Sequence, residues 1–280
     1  MAFAIDTANT LDQINWTTFY NWKPQYPESA GRYFGGGLTW AGTEFTDAKS
    51  STGGVLTHVF PIRACEPSRQ EATGPTGHSY GAADGNDTCT RITNAINAGQ
   101  LQIPASGIVI VYLDVEPGVA LSADFWAGFS NEVYNFGFEA AEPFEAGIYT
   151  QYVQNASGKY VPQSSVQSAL NSSYPKYPSE DTLCYGLWSS DPEPCSYCAP
   201  GTVPDWGVFA DYNQPYAGVN QLVKLYIYQY AQYGDNQTQQ GGCVYTCGDS
   251  SFGGGNVIDV DGTASTGIRS LHPLAEKSRR

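Results

Sequence analysis

Short apolar runs alternate with longer amphipathic stretches along this chain, an order that predicts strands separated by helices. The clearest apolar run is 108–117, which ends at Pro117-Gly118 and is typical of a strand buried on both faces. Side chains alternate along a strand, so Asp114 and Glu116 are expected on one face and aliphatic side chains on the other. Both acids would then emerge at the carboxyl end of a parallel strand, where α/β barrels carry their chemistry.

The rest of the pattern predicts a single (β/α)8 barrel of the TIM type, with its active site at the carboxyl ends of the strands. Further strands are expected at 3–6, 31–34, 55–62, 145–150, 182–188, 206–209 and 222–230. Helices are expected at 11–22, 43–49, 84–98, 123–136 and 164–170. The Gly-, Ser- and Thr-rich segment after Arg63 is expected to be a loop, and the residues from Ala231 onward a polar tail.

One domain accounts for the whole chain, with the barrel over 1–262 and a flexible C-terminal tail over 263–280. The net charge of −14 argues against nucleic acid and against anionic membranes, but it leaves neutral and cationic glycans open. No apolar run approaches the ~18 residues of a membrane span.

The cysteines indicate a secreted, extracellular protein. Cys195-x-x-Cys198 and Cys243-x3-Cys247 could supply four zinc thiolates, or they could form disulfides. Proline and glycine crowd around them and no histidine is near, so we expect at least two disulfides, no metal site and no cofactor. Met1 leads directly into the first strand without a signal peptide, so either a leader has been removed or export is non-standard.

Five short motifs, taken in order, resemble a known family. They are Ile5-Asp6-Thr7, Gly31-Arg32-Tyr33, Tyr112-Leu113-Asp114-Val115-Glu116, Gly147-Ile148-Tyr149 and Tyr228-Gln229-Tyr230. Their order and spacing resemble the glycoside-hydrolase-like proteins known as domain of unknown function 1906. Those proteins are similar in turn to family 25 glycoside hydrolases, the lysozyme-type muramidases. The resemblance covers most of residues 3–262.

The resemblance implies a carboxylate site at the mouth of the barrel. Glu116 would be the general acid, Asp114 would orient or stabilise the reacting sugar, and Asp6 would hold the other side. The family also has a late aspartate, for which this chain offers four candidates. They are Asp191, Asp211, Asp259 and Asp261.

Neighbouring strand ends supply further side chains that could bind a sugar. The expected substrate-binding residues are Arg32, Tyr33, Tyr149, Trp188, Gln229 and Tyr230. The aromatic ones could instead be ordinary barrel packing, and Arg32 could be a buried ion-pair partner of Asp6 or Glu116.

The resulting hypothesis is a secreted glycoside hydrolase that cleaves a β-linked amino-sugar polymer, such as peptidoglycan or a chitin-like glycan, by carboxylate general acid catalysis. One alternative is a glycan-binding barrel without activity. Another is a structural, self-assembling extracellular protein, suggested by the abundance of Tyr, Gly and Asn.

Overall fold

The computed structural model of this chain is a mixed α/β fold built on a curled sheet. It describes residues 2–7, 10–22, 24–36, 38–40, 42–102, 109–139, 144–190, 207, 209–234, 244–246 and 257–263. Parallel strands form most of the sheet, and helices cover its outer face.

The described secondary structure begins with a strand and ends with one. The strands are β1 (Ala2–Asp6), β2 (Ser29–Gly35), β3 (Leu38–Thr39), β4 (His58–Ala64), β5 (Val109–Val115), β6 (Phe144–Thr150), β7 (Tyr152–Gln154), β8 (Tyr160–Pro162), β9 (Gly186–Ser189), β10 (Tyr212–Tyr216), β11 (Val219–Val223), β12 (Leu225–Gly234), β13 (Val244–Thr246) and β14 (Val257–Thr263). The helices are α1 (Trp16–Trp22), α2 (Glu44–Ser51), α3 (Pro67–Gln70), α4 (Gly74–Asn97), α5 (Ala123–Glu139) and α6 (Ser164–Lys176), with a 3-10 turn at Leu11–Gln13.

Seven strands of the curled sheet run parallel, in the order β1, β2, β4, β5, β6, β9 and β12. The strand β14 pairs antiparallel with both β12 and β1. The fold is therefore TIM-like, and the predicted regular barrel of eight parallel strands is corrected. An antiparallel strand needs no helical crossover, and no helix lies between β12 and β14 in the described residues.

The alternation predicted for β5 is confirmed. Val109, Val111 and Leu113 pack in the large apolar core between the sheet and the helices. Ile110 and Tyr112 face the other way, into a smaller apolar cluster inside the curled sheet. Both faces are buried, which explains why the sequence here is a continuous apolar run.

Glycines make room for aromatic side chains inside the curled sheet. A Cβ at Gly31 would lie 2.4 Å from Cη2 of Trp188 and 2.7 Å from Cβ of Asp6. Trp188 is fully buried there, with its ring edge-to-face with Tyr149 at 4.9 Å and with Tyr112 at 5.3 Å between centroids. The interior is thus packed with side chains from the strands themselves.

The segment after β4 differs most from the sequence prediction. It was expected to be a loop, but it forms α3 and the first ten residues of α4, 74–83, ahead of the predicted start at 84. The reason is a close tertiary contact between α4 and α5. A Cβ at Gly81 would lie 2.0 Å from the carbonyl oxygen of Phe125, and one at Gly128 would lie 2.0 Å from the carbonyl oxygen of His78. The glycines therefore let α4 and α5 approach backbone to backbone.

The late part of the chain also differs from prediction. The residues from 231 onward were expected to be a polar tail, but β12 extends to Gly234 and β14 completes pairings on both sides. The strand expected at 206–209 is represented by a single bridge between Phe209 and Tyr160, and Trp206 lies outside the described residues. None of the described helices is long and apolar enough to cross a membrane.

We expect Gly81→Ala to destabilise the protein, although alanine usually favours a helix by about 0.5–1 kcal/mol over glycine. The new methyl group would meet the backbone of α5, and overpacking of this kind costs about 1–3 kcal/mol. Urea denaturation checks the sign of the change. Ser79→Ala is the matched control because Ser79 is an exposed residue of the same helix. A Gly81→Ala variant more stable than wild type would contradict the close contact.

Candidate functional site

Two aspartates at the carboxyl ends of β1 and β5 each accept a hydrogen bond from a tyrosine. The hydroxyl of Tyr33, on β2, donates to Oδ2 of Asp114 at 3.2 Å. The hydroxyl of Tyr149, on β6, donates to Oδ2 of Asp6 at 3.5 Å, the outer limit for such a bond. All four side chains are buried, so the two pairs form a polar cap over the aromatic interior.

The pairing of Tyr149 with Asp6 is possible because the sheet is curled. Three parallel strands, β2, β4 and β5, lie between β1 and β6 along the sheet. A flat sheet would hold those strands about 19 Å apart at ~4.8 Å per strand. The contact therefore reaches across the curled sheet and brings Tyr149 to Asp6. That both Tyr–Asp pairs belong to one carboxylate site stays a prediction.

Glu116 occupies a different position from Asp114. β5 ends at Val115, and Glu116 begins the turn that follows, with its side chain exposed. Its carbonyl oxygen accepts the backbone N–H of Val119 at 3.1 Å, which closes the turn. The two acids lie at the end of the same strand, but the prediction that both share its inward face is wrong, because β5 ends before Glu116. Asp114 lies within the interior and Glu116 lies in solvent.

Arg32 stabilises the fold and does not line the candidate site at the carboxyl ends of the strands. It lies on the outer face of β2, where its Nε donates to Glu44 at 2.7 Å with both side chains fully buried. Its Nη1 donates to the carbonyl oxygen of Thr7 at 2.9 Å. The prediction of Arg32 as a substrate-binding residue is therefore corrected, because alternation along β2 turns it away from Tyr33. Its ion-pair partner is Glu44, not Asp6 or Glu116.

The remaining predicted binding residues divide into two groups. Trp188 is fully buried among Tyr112, Tyr149 and Phe60, so it acts as interior packing and not as an open platform for a sugar ring. Gln229 and Tyr230 lie on β12 at a register shift opposite β14. Their backbone positions are described but their side chains are not.

Strand register separates the candidates for the late aspartate. Asp259 pairs directly with Asp6 in the antiparallel ladder of β14 and β1, whereas Asp261 pairs with Ala4, two residues farther from the mouth. Directly opposed residues of an antiparallel pair share one face of the sheet. Asp211 is exposed beside β10, and Asp191 lies outside the described residues. The register therefore favours Asp259.

A carboxyl group with a raised pKa lies at the opposite end of the sheet. Burial, and then the nearby charge of Asp181, raises the pKa of Glu145 to about 8. Glu145 is near the start of β6, whereas Tyr149 is near its end. A raised pKa is what a general acid needs, but the position of Glu145 separates it from the paired aspartates.

Two of the described cysteines are thiols in or near the core. Cys65 is a free, half-buried thiol and Cys184 a free, buried one. Cys195, Cys198, Cys243 and Cys247 lie outside the described residues, so the expectation of disulfides stays a prediction. Among the described residues, no group of three His, Cys, Asp or Glu side chains is arranged to hold a metal ion.

Two buried glutamines belong to this region and were not singled out by the sequence. Gln70, on α3, and Gln163, just before α6, donate hydrogen bonds to the main chain at the end of β5. Pro162-Gln163-Ser164 could be recognised as the start of a helix. Nothing in that pattern indicates where the glutamine side chain reaches.

Comparison with known proteins gives a likeness of fold. No family model and no curated protein matches the chain. An uncharacterized B. stearothermophilus protein, known from a 1.07 Å crystal structure, is similar with a TM-score of 0.53 and 13% sequence identity. The alignment covers 95% of this chain and 97% of that one. At this identity the likeness concerns the fold alone.

We expect Arg32→Met to cost about 3–5 kcal/mol of unfolding free energy, because it leaves the buried Glu44 without its positive partner. The double variant Arg32→Met/Glu44→Leu should be more stable than the single one, since neither charge is then buried alone. Chemical denaturation of both variants measures the change in unfolding free energy. Titration of the folded protein with a glycan tests the substrate-binding role separately. A stable Arg32→Met with weakened glycan binding would restore the substrate-binding role.

We expect stability to fall as the pH rises from about 4.5 to about 8. In this window unfolded Glu145 has released its proton while folded Glu145 still holds it, because its pKa rises from 4.5 to about 8 on folding. Glu145→Gln should flatten this slope, and urea denaturation at a series of pH values measures it. Glu28→Gln, at an exposed residue, is the control. An unchanged slope in Glu145→Gln would contradict the raised pKa.

Proposed function

We propose that this protein is a glycoside hydrolase that cleaves a β-linked amino-sugar polymer such as peptidoglycan or a chitin-like glycan. The observation that supports it best is the pair of buried aspartates, Asp6 and Asp114, each bonded to a tyrosine at the mouth of the sheet. Glu116 stands two residues beyond Asp114 in solvent. Glycoside hydrolysis needs two carboxyl groups in different environments, one to donate a proton and one in the ionised form.

The environments of the acids support separate roles. Glu116 is exposed, so it can reach the oxygen of a leaving sugar and donate a proton to it. The hydroxyl of Tyr33 donates a hydrogen bond to Oδ2 of Asp114 inside the sheet. An ionised Asp114 would stabilise the positive charge that develops at the sugar ring. Asp6, with Asp259 at the facing position of β14, would bound the other side of the ring.

The net charge of the chain limits the classes of polymer that it can bind. With a net charge of −14, the protein repels polyanions at long range and does not repel neutral or cationic glycans. Chitin-like polymers and the glycan strands of peptidoglycan, free of teichoic acid, fit this condition. We propose an extracellular setting on the basis of the cysteine pattern, and a mechanism carried by carboxyl groups without a cofactor.

A glycan-binding protein without activity is the second candidate. The observation that favours it is the burial of the paired residues, with Asp6 2% exposed and Asp114 6% exposed. A sugar can reach Glu116 from solvent, whereas the buried Asp114 has little surface that a sugar could contact. In this alternative the Tyr–Asp pairs stabilise the mouth and the glycan binds at its rim.

We expect Glu116→Gln to fold normally, because the change is nearly isosteric and the residue is exposed. Turnover of chitin oligomers or peptidoglycan should fall at least ~100-fold, the lower range for a positioned general acid. Asp114→Asn should also reduce turnover strongly, through lost stabilisation of positive charge. Reducing-end assays on wild type and both variants measure this.

Glu28→Gln provides the control, since Glu28 is an exposed glutamate just before β2, at the other end of the sheet. Its turnover should match that of wild type. A folded Glu116→Gln variant with full activity would remove Glu116 from the mechanism. A wild type without turnover on either polymer, but with measurable glycan affinity, would favour the binding protein.

A further inference from the structure

Three consecutive carbonyl groups at the end of β5 accept hydrogen bonds from buried glutamine side chains. Nε2 of Gln70 donates to the carbonyl oxygen of Asp114 at 2.8 Å. Nε2 of Gln163 donates to the carbonyl oxygens of Val115 at 3.3 Å and Glu116 at 3.1 Å. The segment with both proposed catalytic acids is therefore held from two flanks, by α3 on one side and the start of α6 on the other.

Gln163 makes the larger set of these contacts. Its Nε2 also lies 2.9 Å from Oγ1 of Thr150, on β6, so the two hydrogens of the amide are shared among three acceptors. Its Oε1 accepts the backbone N–H of Gly118 at 3.3 Å. One side-chain amide thus bonds to the main chain on both sides of Pro117 and ties this turn to the neighbouring strand.

We propose that Gln163 is a positioning residue that fixes the exposed carboxyl group of Glu116 relative to Asp114. This inference rests on the proposed function, in which Glu116 donates the proton. Past the end of β5 the main chain has no strand partner, so its direction depends on side chains that bond to it. Gln163 is only 7% exposed, so water competes little for these bonds.

The two flanks together set the spacing of the acids. Gln70, 1% exposed, holds the carbonyl of Asp114, while Gln163 holds that of Glu116. An exposed glutamate on an unsupported turn would sample many positions. A shift of ~1 Å in a catalytic group can cost about 100-fold in rate, so fixing the turn matters for turnover more than for binding.

Gln163→Met removes the amide while keeping the length of the side chain. We expect kcat on chitin oligomers to fall about 100-fold with KM changed little, because misplacement affects the reacting geometry and not ground-state binding. Gln163→Glu is the second variant: it keeps an acceptor for Gly118 but has no N–H donor for the carbonyls. It should lose kcat in the same way.

Gln167→Met is the matched control. Gln167 lies one turn farther along α6, and its Nε2 donates to the carbonyl oxygen of Pro162 at 2.6 Å, away from the turn after β5. This variant removes a similar amide bond and should leave kcat unchanged. An equal fall of kcat in Gln163→Met and Gln167→Met would indicate general destabilisation and overturn the inference.

A second measurement separates failure of the inference from failure of the proposed function. Amide hydrogen exchange of Val119, whose N–H donates to the carbonyl oxygen of Glu116 and closes the turn, is followed by NMR in wild type, Gln163→Met and Gln167→Met. Exchange should be faster in Gln163→Met alone. Equal exchange in all three proteins would overturn the positioning role. A wild type without turnover whose Val119 exchange is still faster in Gln163→Met would overturn the hydrolase and leave the positioning role standing.

Discussion

The interior of the curled sheet must be filled by side chains of its own strands, and the rest of the structure depends on how Trp188 does this. Its indole contacts Tyr112 and Tyr149 edge to face, and Gly31 provides the space that it occupies. The same packing brings Tyr149 over Asp6. The packing of the interior and the geometry of the candidate site therefore depend on the same residues. A change at Gly31 would alter both.

Local sequence pattern carries information about the faces of a strand but not about its neighbours. The two faces of β5 follow from alternation, because both are buried and their contents differ. The first half of α4 could not be predicted in this way. Its glycines weaken a helix in isolation, and the contact that compensates for them is with α5, about forty residues later. The antiparallel direction of β14 likewise depends on its pairing with β1 and β12, which its own sequence does not indicate.

Prediction from sequence has the same limit at the candidate site. Asp6 and Asp114 could be located because they stand at the ends of strands whose order was predictable. The role of Arg32, on the strand β2, depends on Glu44, which begins the helix α2 and whose neighbours in sequence give no sign of the pairing. Gln163 illustrates the point further, since a long flexible side chain reaches atoms that no periodicity indicates. Sequence pattern therefore located the acids but not the residues that hold them.

The position of β14 has a consequence for how the protein is made. β14 bonds to the first strand of the chain and to β12, so residues 257–263 join parts of the sheet that are synthesised far apart in time. Until the ribosome releases this segment, β1 and β12 both present unpaired edges, which are sites of aggregation. The last strand of the described residues to emerge is then the one that protects the first, and a chain truncated before it would be exposed to association with other chains.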